Sequence, residues 1–92
     1  MITSFRHSGL QSFFETGSKA GIRPDHAAKL SRLLGALDSA AVLDQLNLPG
    51  FRLHKLSGNL SGFWSLTVRG NWRIIFRFEN GEAELVDYLD YH

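Results

Sequence analysis

The spacing of apolar residues changes near the middle of the chain, from a helical period before Gly50 to a strand period after it. Residues 1–7 alternate well enough for a short first strand, with Ile2 on one parity and Phe5 and His7 on the other. Ser8 can then cap a helix over residues 8–16, whose Leu10, Phe13 and Phe14 make an apolar stripe and which Gly17 is placed to end. A second helix opens near Pro24, where the missing N–H is no loss, and Asp25 in its first turn favours the dipole. It continues through Ala27, Leu30, Leu33, Leu34 and Leu37, which fall on one helical face. A further helical turn is expected over residues 41–46, before Asn47, Leu48, Pro49 and Gly50 break the pattern.

From Phe51 onward the pattern predicts strands over residues 51–56, 63–68, 72–78 and 83–89, separated by turns that contain glycine. Asn80-Gly81 signals a two-residue hairpin, because the favoured turn needs positive φ at both central positions. That turn sets Phe78 opposite Ala83, Arg77 opposite Glu84, Phe76 opposite Leu85 and Arg73 opposite Tyr88. For the preceding hairpin, a two-residue turn would put Ser65 and Thr67 on the face of Ile74 and Phe76. A three-residue Arg69-Gly70-Asn71 loop instead aligns Trp64, Leu66 and Val68 with Phe76, Ile74 and Trp72, and is the one expected. The sheet then has an apolar face of Trp64, Leu66, Val68, Trp72, Ile74, Phe76, Phe78 and Leu85 for the helices to cover. Its other face carries Thr67, Arg73, Ile75, Arg77, Val86 and Tyr88, continued by Asp90 and His92. The expected fold is α+β: an N-terminal strand and two main helices packed on one face of an antiparallel sheet that ends in a three- to four-strand meander.

Length limits this to one domain over residues 1–92, since the chain cannot supply two separate cores. With 43% hydrophobic and 21% charged residues it lies in the globular range. The absence of cysteine excludes a disulfide framework and a thiolate-ligated zinc site. No apolar run approaches the roughly 20 residues that cross a bilayer, and the first residues lack a signal-peptide core, so a cytoplasmic protein without membrane association is expected. Net charge, +1, conceals two blocks. Between Phe51 and Phe78 there is no Asp or Glu, while Arg52, Lys55, Arg69, Arg73 and Arg77 are all positive. From Glu79 onward the sign reverses, with Glu79, Glu82, Glu84, Asp87 and Asp90 and no Lys or Arg. A basic block is either a solvated face or a footprint for a polyanion.

No nucleotide-binding loop, metalloprotease helix or hydrolase elbow is present, and the four histidines are too dispersed to form a metal motif. No cofactor is expected. His7 and His26 read as ordinary surface or half-buried residues. His54 differs, because it falls inside the acid-free block. The closing Asp90-Tyr91-His92 would be dismissed as a frayed end, except that it is expected to extend the face that presents Arg73. An imidazole to move protons, an arginine to hold a phosphodiester and titratable groups beside them are what attack by a ribose 2′-hydroxyl requires.

In these residues the chain resembles the HigB branch of the RelE toxin superfamily. The resemblance spans the whole chain and is carried by residues 2–10, by Phe13-Phe14-Glu15-Thr16-Gly17, by Leu53-His54-Lys55-Leu56-Ser57-Gly58, by Gly70-Asn71-Trp72-Arg73-Ile74 and by Asp90-Tyr91-His92. It implies a compact α+β toxin that enters the ribosomal A site and cleaves the mRNA there, and the absence of a metal motif predicts that it does so without a metal. It also implies control by a helix-turn-helix antitoxin of the HigA kind, the pair binding operator DNA. By the same resemblance His54, Asp90, Tyr91 and His92 match active-site positions and Arg73 a phosphate-stabilising arginine, with acid and base between the histidines left open. Arg69 and Asn71 are expected to contact the RNA backbone, and Arg52, Lys55 and Arg77 to contribute basic contacts to RNA or ribosome. The sequence departs from the family at Ser57, where relatives carry a lysine that Lys55, two residues away, is placed to replace. The competing readings are a gyrase poison of the ParE kind on the same scaffold, which would have no chemical use for His54 and the Asp-Tyr-His end, and a free-standing RNA-binding protein.

Overall fold

Helix α1 (Ser8–Thr16) has nine residues, too few to persist alone in water, so its ends and its buried face must hold it. The cap is the imidazole of His7 and not the hydroxyl of Ser8: the Leu10 N–H donates to His7 Nδ1 at 2.9 Å. Gly17 closes the helix at φ 80°, its N–H donating to the Phe13 carbonyl. A 3₁₀ turn at Pro24–His26 leads into α2 (Ala27–Ser39), whose Leu30, Leu33, Leu34 and Leu37 are fully buried. Each such leucine contributes roughly 1.5–3 kcal/mol of burial free energy. The expected turn beyond it is a 3₁₀ turn at Leu43–Leu46. The computed structural model describes residues 1–91, and none of its helices is long and apolar enough to cross a membrane.

The meander is as expected in order and direction. Strands β1 (His54–Lys55), β2 (Trp64–Arg69), β3 (Trp72–Glu79) and β4 (Glu82–Asp90) form a four-stranded antiparallel sheet in sequence order. Asn80 and Gly81 both have positive φ, 52° and 77°, as the primed hairpin turn demands. Trp64 faces Phe76 and Leu66 faces Ile74, the register of the three-residue loop. The chain reaches that register differently: Arg69 pairs with Trp72 around a two-residue Gly70-Asn71 turn, and an irregularity at Val68 absorbs the extra residue.

Three expectations fail, and backbone irregularities explain them. Phe78 faces Ala83 and Arg77 faces Glu84, but β4 then bulges, so that Ile75 faces Asp87, Ile74 faces Tyr88 and Arg73 faces Leu89. The expected Phe76–Leu85 and Arg73–Tyr88 pairs are therefore absent. Leu85 sits in the bulge at φ 55°, a conformation that costs a non-glycine residue roughly 1–3 kcal/mol. Its N–H donates to Ser4 Oγ at 2.8 Å and the next N–H, of Val86, to the Ser4 carbonyl at 3.1 Å, so the N-terminal segment braces the bulge. The same break explains the first strand. In place of a continuous ladder there are two isolated parallel bridges, Ile2 to Ala83 and Phe5 to Val86, on either side of the bulge. Finally, the strand over residues 51–56 is regular only at His54–Lys55, because Arg52 adopts φ 51° just after the Phe51 carbonyl has accepted from Thr67 at 2.8 Å.

Beyond the bulge every side chain of β4 changes face. Val86 and Tyr88, expected opposite the helices, are buried in the main core with Leu66, Val68, Ile74 and Phe76, while Leu85 leaves that core. On the far side of the sheet Leu56, Phe63 and Ile75, joined by Leu60, Leu85 and Leu89, form a second small core where a polar face was expected. His26 is also corrected. It is 3% exposed, with Nδ1 2.6 Å from the Tyr88 hydroxyl and its ring centroid 5.5 Å from that of Trp72. Burial, helped by the Arg23 and Arg69 charges and opposed by Asp25, holds the imidazole below its ordinary pKa.

Two outcomes follow for stability. Ser4→Ala strands the Leu85 N–H beside a strained residue and should lower unfolding free energy by about 1–3 kcal/mol in urea titration; an unchanged midpoint would mean that the bulge needs no brace. For His26, the depressed folded pKa means that stability is fully present above the unfolded value of about 6.5 and is lost as pH falls through the lower folded value. The stability difference between wild type and His26→Gln should therefore shrink as pH is lowered from about 7.5 to 5, and a constant difference would contradict a neutral buried imidazole.

Candidate active site

Antiparallel pairing puts His54 across from Ser65, and Thr67 across from Arg73. Alternate residues of a strand share a face, so these four side chains gather on the side of the sheet away from the helices. There they line an open cleft of about 490 Å³ together with Arg52, Tyr91 and the apolar Leu53 and Leu56. Arg52 reaches it from the kink that interrupts the first strand. Tyr91 reaches it because the bulge has shifted parity, and its N–H donates to the Asn71 carbonyl at 2.8 Å, anchoring the chain one residue past β4.

Among the described residues the lining includes no Asp or Glu. Arg73 Nη1 donates to the Gly70 carbonyl at 2.6 Å and to the Trp72 carbonyl at 3.2 Å. Neutral acceptors orient the guanidinium and leave its charge in place, and among the described residues Arg73 forms no ion pair. The cleft thus combines an imidazole, a phenol and two guanidinium groups, a set that can hold an anion and exchange protons beside it.

A second cleft, of about 430 Å³, lies at the same end of β3 on its other side, with Asp90, Arg69, Asn71, Trp72 and His26 in its lining. Asp25 bridges two cations there, 3.5 Å from Arg69 and 3.6 Å from Arg23, and the Arg23 guanidinium carbon is 5.8 Å from the centre of the Trp72 ring. The expectation that Asp90 continues the face of Arg73 is therefore corrected: Asp90 pairs with Trp72, and Asp90 and Tyr91 diverge to opposite sides of the sheet end. His92 lies outside the described residues. Lys55 is exposed and lines neither cleft, and Arg77 pairs with Glu84 at 3.8 Å, as the hairpin register predicts. Sequence reasoning misses Ser65 as a cleft residue, although it shares the parity of Thr67, and misses Arg23, Asp25 and His26, which only the packing of the α2 entrance brings to the sheet. Among the described residues no three His, Cys, Asp or Glu side chains are grouped to hold a metal ion.

Comparison with known proteins adds a family. The family described as "RelE-like toxin of type II toxin-antitoxin system HigB" matches residues 3–92. An endoribonuclease HigB from Proteus vulgaris is 44% identical over 92 residues, covering 100% of both chains. Toxin HigB-1 from Vibrio cholerae serotype O1 is 35% identical over 94 residues, covering 100% of this chain and 98% of its own. In structure the chain resembles the Staphylococcus aureus YoeB-YefM complex (TM-score 0.63, 18% identity, 100% of this chain and 95% of the other). It also resembles the YoeB dimer of that organism (TM-score 0.62, 17% identity, 99% and 94%). At those identities the structural likeness speaks for the fold alone.

Proposed function

Because the chain belongs to the RelE-like HigB toxin family of type II toxin–antitoxin systems, and is an endoribonuclease, we propose that it cleaves mRNA in the ribosomal A site by 2′-hydroxyl attack. The observation that carries the reading is the convergence of His54, Arg73 and Tyr91 on one cleft that no Asp or Glu lines among the described residues. In the proposed reaction a base takes the proton of the 2′-hydroxyl, and O2′ bonds the adjacent phosphorus. The bond from phosphorus to O5′ then breaks, and an acid protonates the departing O5′. The products are a 2′,3′-cyclic phosphate and a 5′-hydroxyl. His54 and His92 share the two proton transfers, each typically worth about 10²- to 10⁴-fold. Arg73, already oriented by its two carbonyl partners, meets the charge that grows on the phosphoryl oxygens. Tyr91 stacks on or hydrogen-bonds the nucleotide, and Asp90, on the other side of the sheet end, orients an imidazole.

Arg52 and Lys55, both exposed and free of ion pairs among the described residues, supply charge toward ribosomal RNA, with Arg69 and Asn71 contacting RNA backbone at the second cleft. Arg77 contributes least, since Glu84 faces it. In the cytoplasm a helix-turn-helix antitoxin holds the activity off, and the pair binds operator DNA.

Primer extension on programmed ribosomes should show cuts within the A-site codon that are absent on free mRNA, with 5′-hydroxyl downstream ends. Equal cutting of free mRNA would overturn the ribosome dependence, and a 5′-phosphate would overturn the 2′-hydroxyl attack. Separately, Arg73→Ala should slow single-turnover cleavage at saturating ribosome by about 10²- to 10³-fold. Lys55→Ala should chiefly weaken ribosome affinity and flatten its salt dependence. Comparable slowing of the single-turnover rate by both would place Lys55 among the catalytic groups.

A further inference from the structure

Ser65 and Thr67 occupy an unusual position. Ser65 is 3% exposed on β2, an interior strand of the sheet, beside the second core of Leu56, Phe63 and Ile75, where an apolar side chain would add to the packing. Serine has neither the branching nor the area that favours a central strand position. Neither hydroxyl hydrogen-bonds another group of the protein among the described residues, and no buried side-chain oxygen there is left unsatisfied. The Ser65 oxygen therefore stays in contact with the cleft. It lies between His54 across β1 and Ile75 across β3, and Thr67 lies directly across from Arg73. Two hydroxyls without a hydrogen-bond partner among the described residues thus fill the floor between the proton-transfer group and the charge clamp.

We propose that Ser65 and Thr67 are substrate-contacting residues of the cleavage reaction, with Thr67 Oγ1 donating to a non-bridging oxygen of the scissile phosphate beside Arg73 and Ser65 Oγ donating to O2′ beside His54. This rests on the cleft being the site of RNA cleavage. Both bonds go to atoms whose negative charge grows during reaction: O2′ as its proton leaves, and the phosphoryl oxygens as the new O2′–P bond forms. Hydrogen bonds to such atoms are stronger in the transition state than before it, so they raise the rate more than the affinity. Hydroxyls suit the task because they donate without adding the charge that would draw an imidazole or guanidinium out of place.

The test removes each hydroxyl with little change of shape, as Ser65→Ala and Thr67→Val, in the full chain on programmed ribosomes. Since neither hydroxyl has a hydrogen-bond partner among the described residues, both variants should melt close to wild type. Each should slow single-turnover cleavage by about 10- to 100-fold with little change in ribosome affinity, and Thr67→Ser, which keeps the hydroxyl, should restore most of the rate. A sulfur in place of the contacted phosphoryl oxygen should slow wild type more than it slows Thr67→Val, which a purely structural role would not produce. Wild-type rates in Ser65→Ala and Thr67→Val, or a sulfur effect of equal size in wild type and Thr67→Val, would overturn the proposal while Arg73→Ala remained slow. Wild-type rates in Arg73→Ala as well would overturn the assignment of the cleft itself.

Discussion

One extra residue in β4 decides which chemistry the last strand presents. Without the bulge at Leu85, the alternation set by the Asn80-Gly81 turn would place Val86, Tyr88 and Asp90 on the side of Arg73 and would send Leu89 and Tyr91 into the helices. With it, Val86 and Tyr88 complete the main core, and Tyr91 turns toward His54 and Arg73. The left-handed Leu85 is unfavourable by itself, and the two hydrogen bonds that Ser4 accepts, from the Leu85 and Val86 N–H groups, are what the fold sets against that strain. Packing works in the same direction. Flipping β4 back would expose Val86 and Tyr88, now 0% and 4% exposed, and would empty a core shared with α2.

The two sides of the sheet consequently hold different environments at one end of β3. The helix side ends in buried His26, Tyr88 and Trp72 beneath a charge-balanced rim of Arg23, Asp25, Arg69 and Asp90. The far side ends in a cationic cleft, floored by hydroxyls and bordered by a small apolar cluster. Rigidity comes from main-chain acceptors: Arg73 is held by carbonyls of the Gly70-Asn71 turn region, and Tyr91 by the Asn71 carbonyl. A group fixed in this way does not need to reorganise when charge develops next to it.

Much of this architecture is legible in the periodicity of the sequence. The stripe from Ala27 to Leu37 and the turn at Asn80-Gly81 depend on local rules, and both appear as those rules predict. The register between β2 and β3 is also legible, because only one alignment keeps Trp64, Leu66 and Phe76 together. The bulge is not, since Leu85 carries no mark of it: leucine rarely adopts positive φ, and the stabilising partner, Ser4, is 81 residues away. Simple alternation misplaces Asp90 for that reason alone. His26 gives no local sign of its burial, which depends on how the 3₁₀ turn at Pro24–His26 docks on β4, and a serine on a strand, such as Ser65, gives none of its partners.

The pairing of the N-terminal segment with β4 also sets an order of events during synthesis. The Leu85 and Val86 N–H groups can meet Ser4 only after β4 has been made, and β4 is the last of the described elements to be translated. Helices α1 and α2 can gather earlier, since their contacts are closer in sequence, but the sheet edge and the parity that directs Tyr91 cannot be settled until then. A nascent chain of this fold therefore carries His54 and Arg73 for many codons before the cleft containing them is closed. The cleft is therefore completed only once β4 has been made, however early the strands that carry His54 and Arg73 emerge.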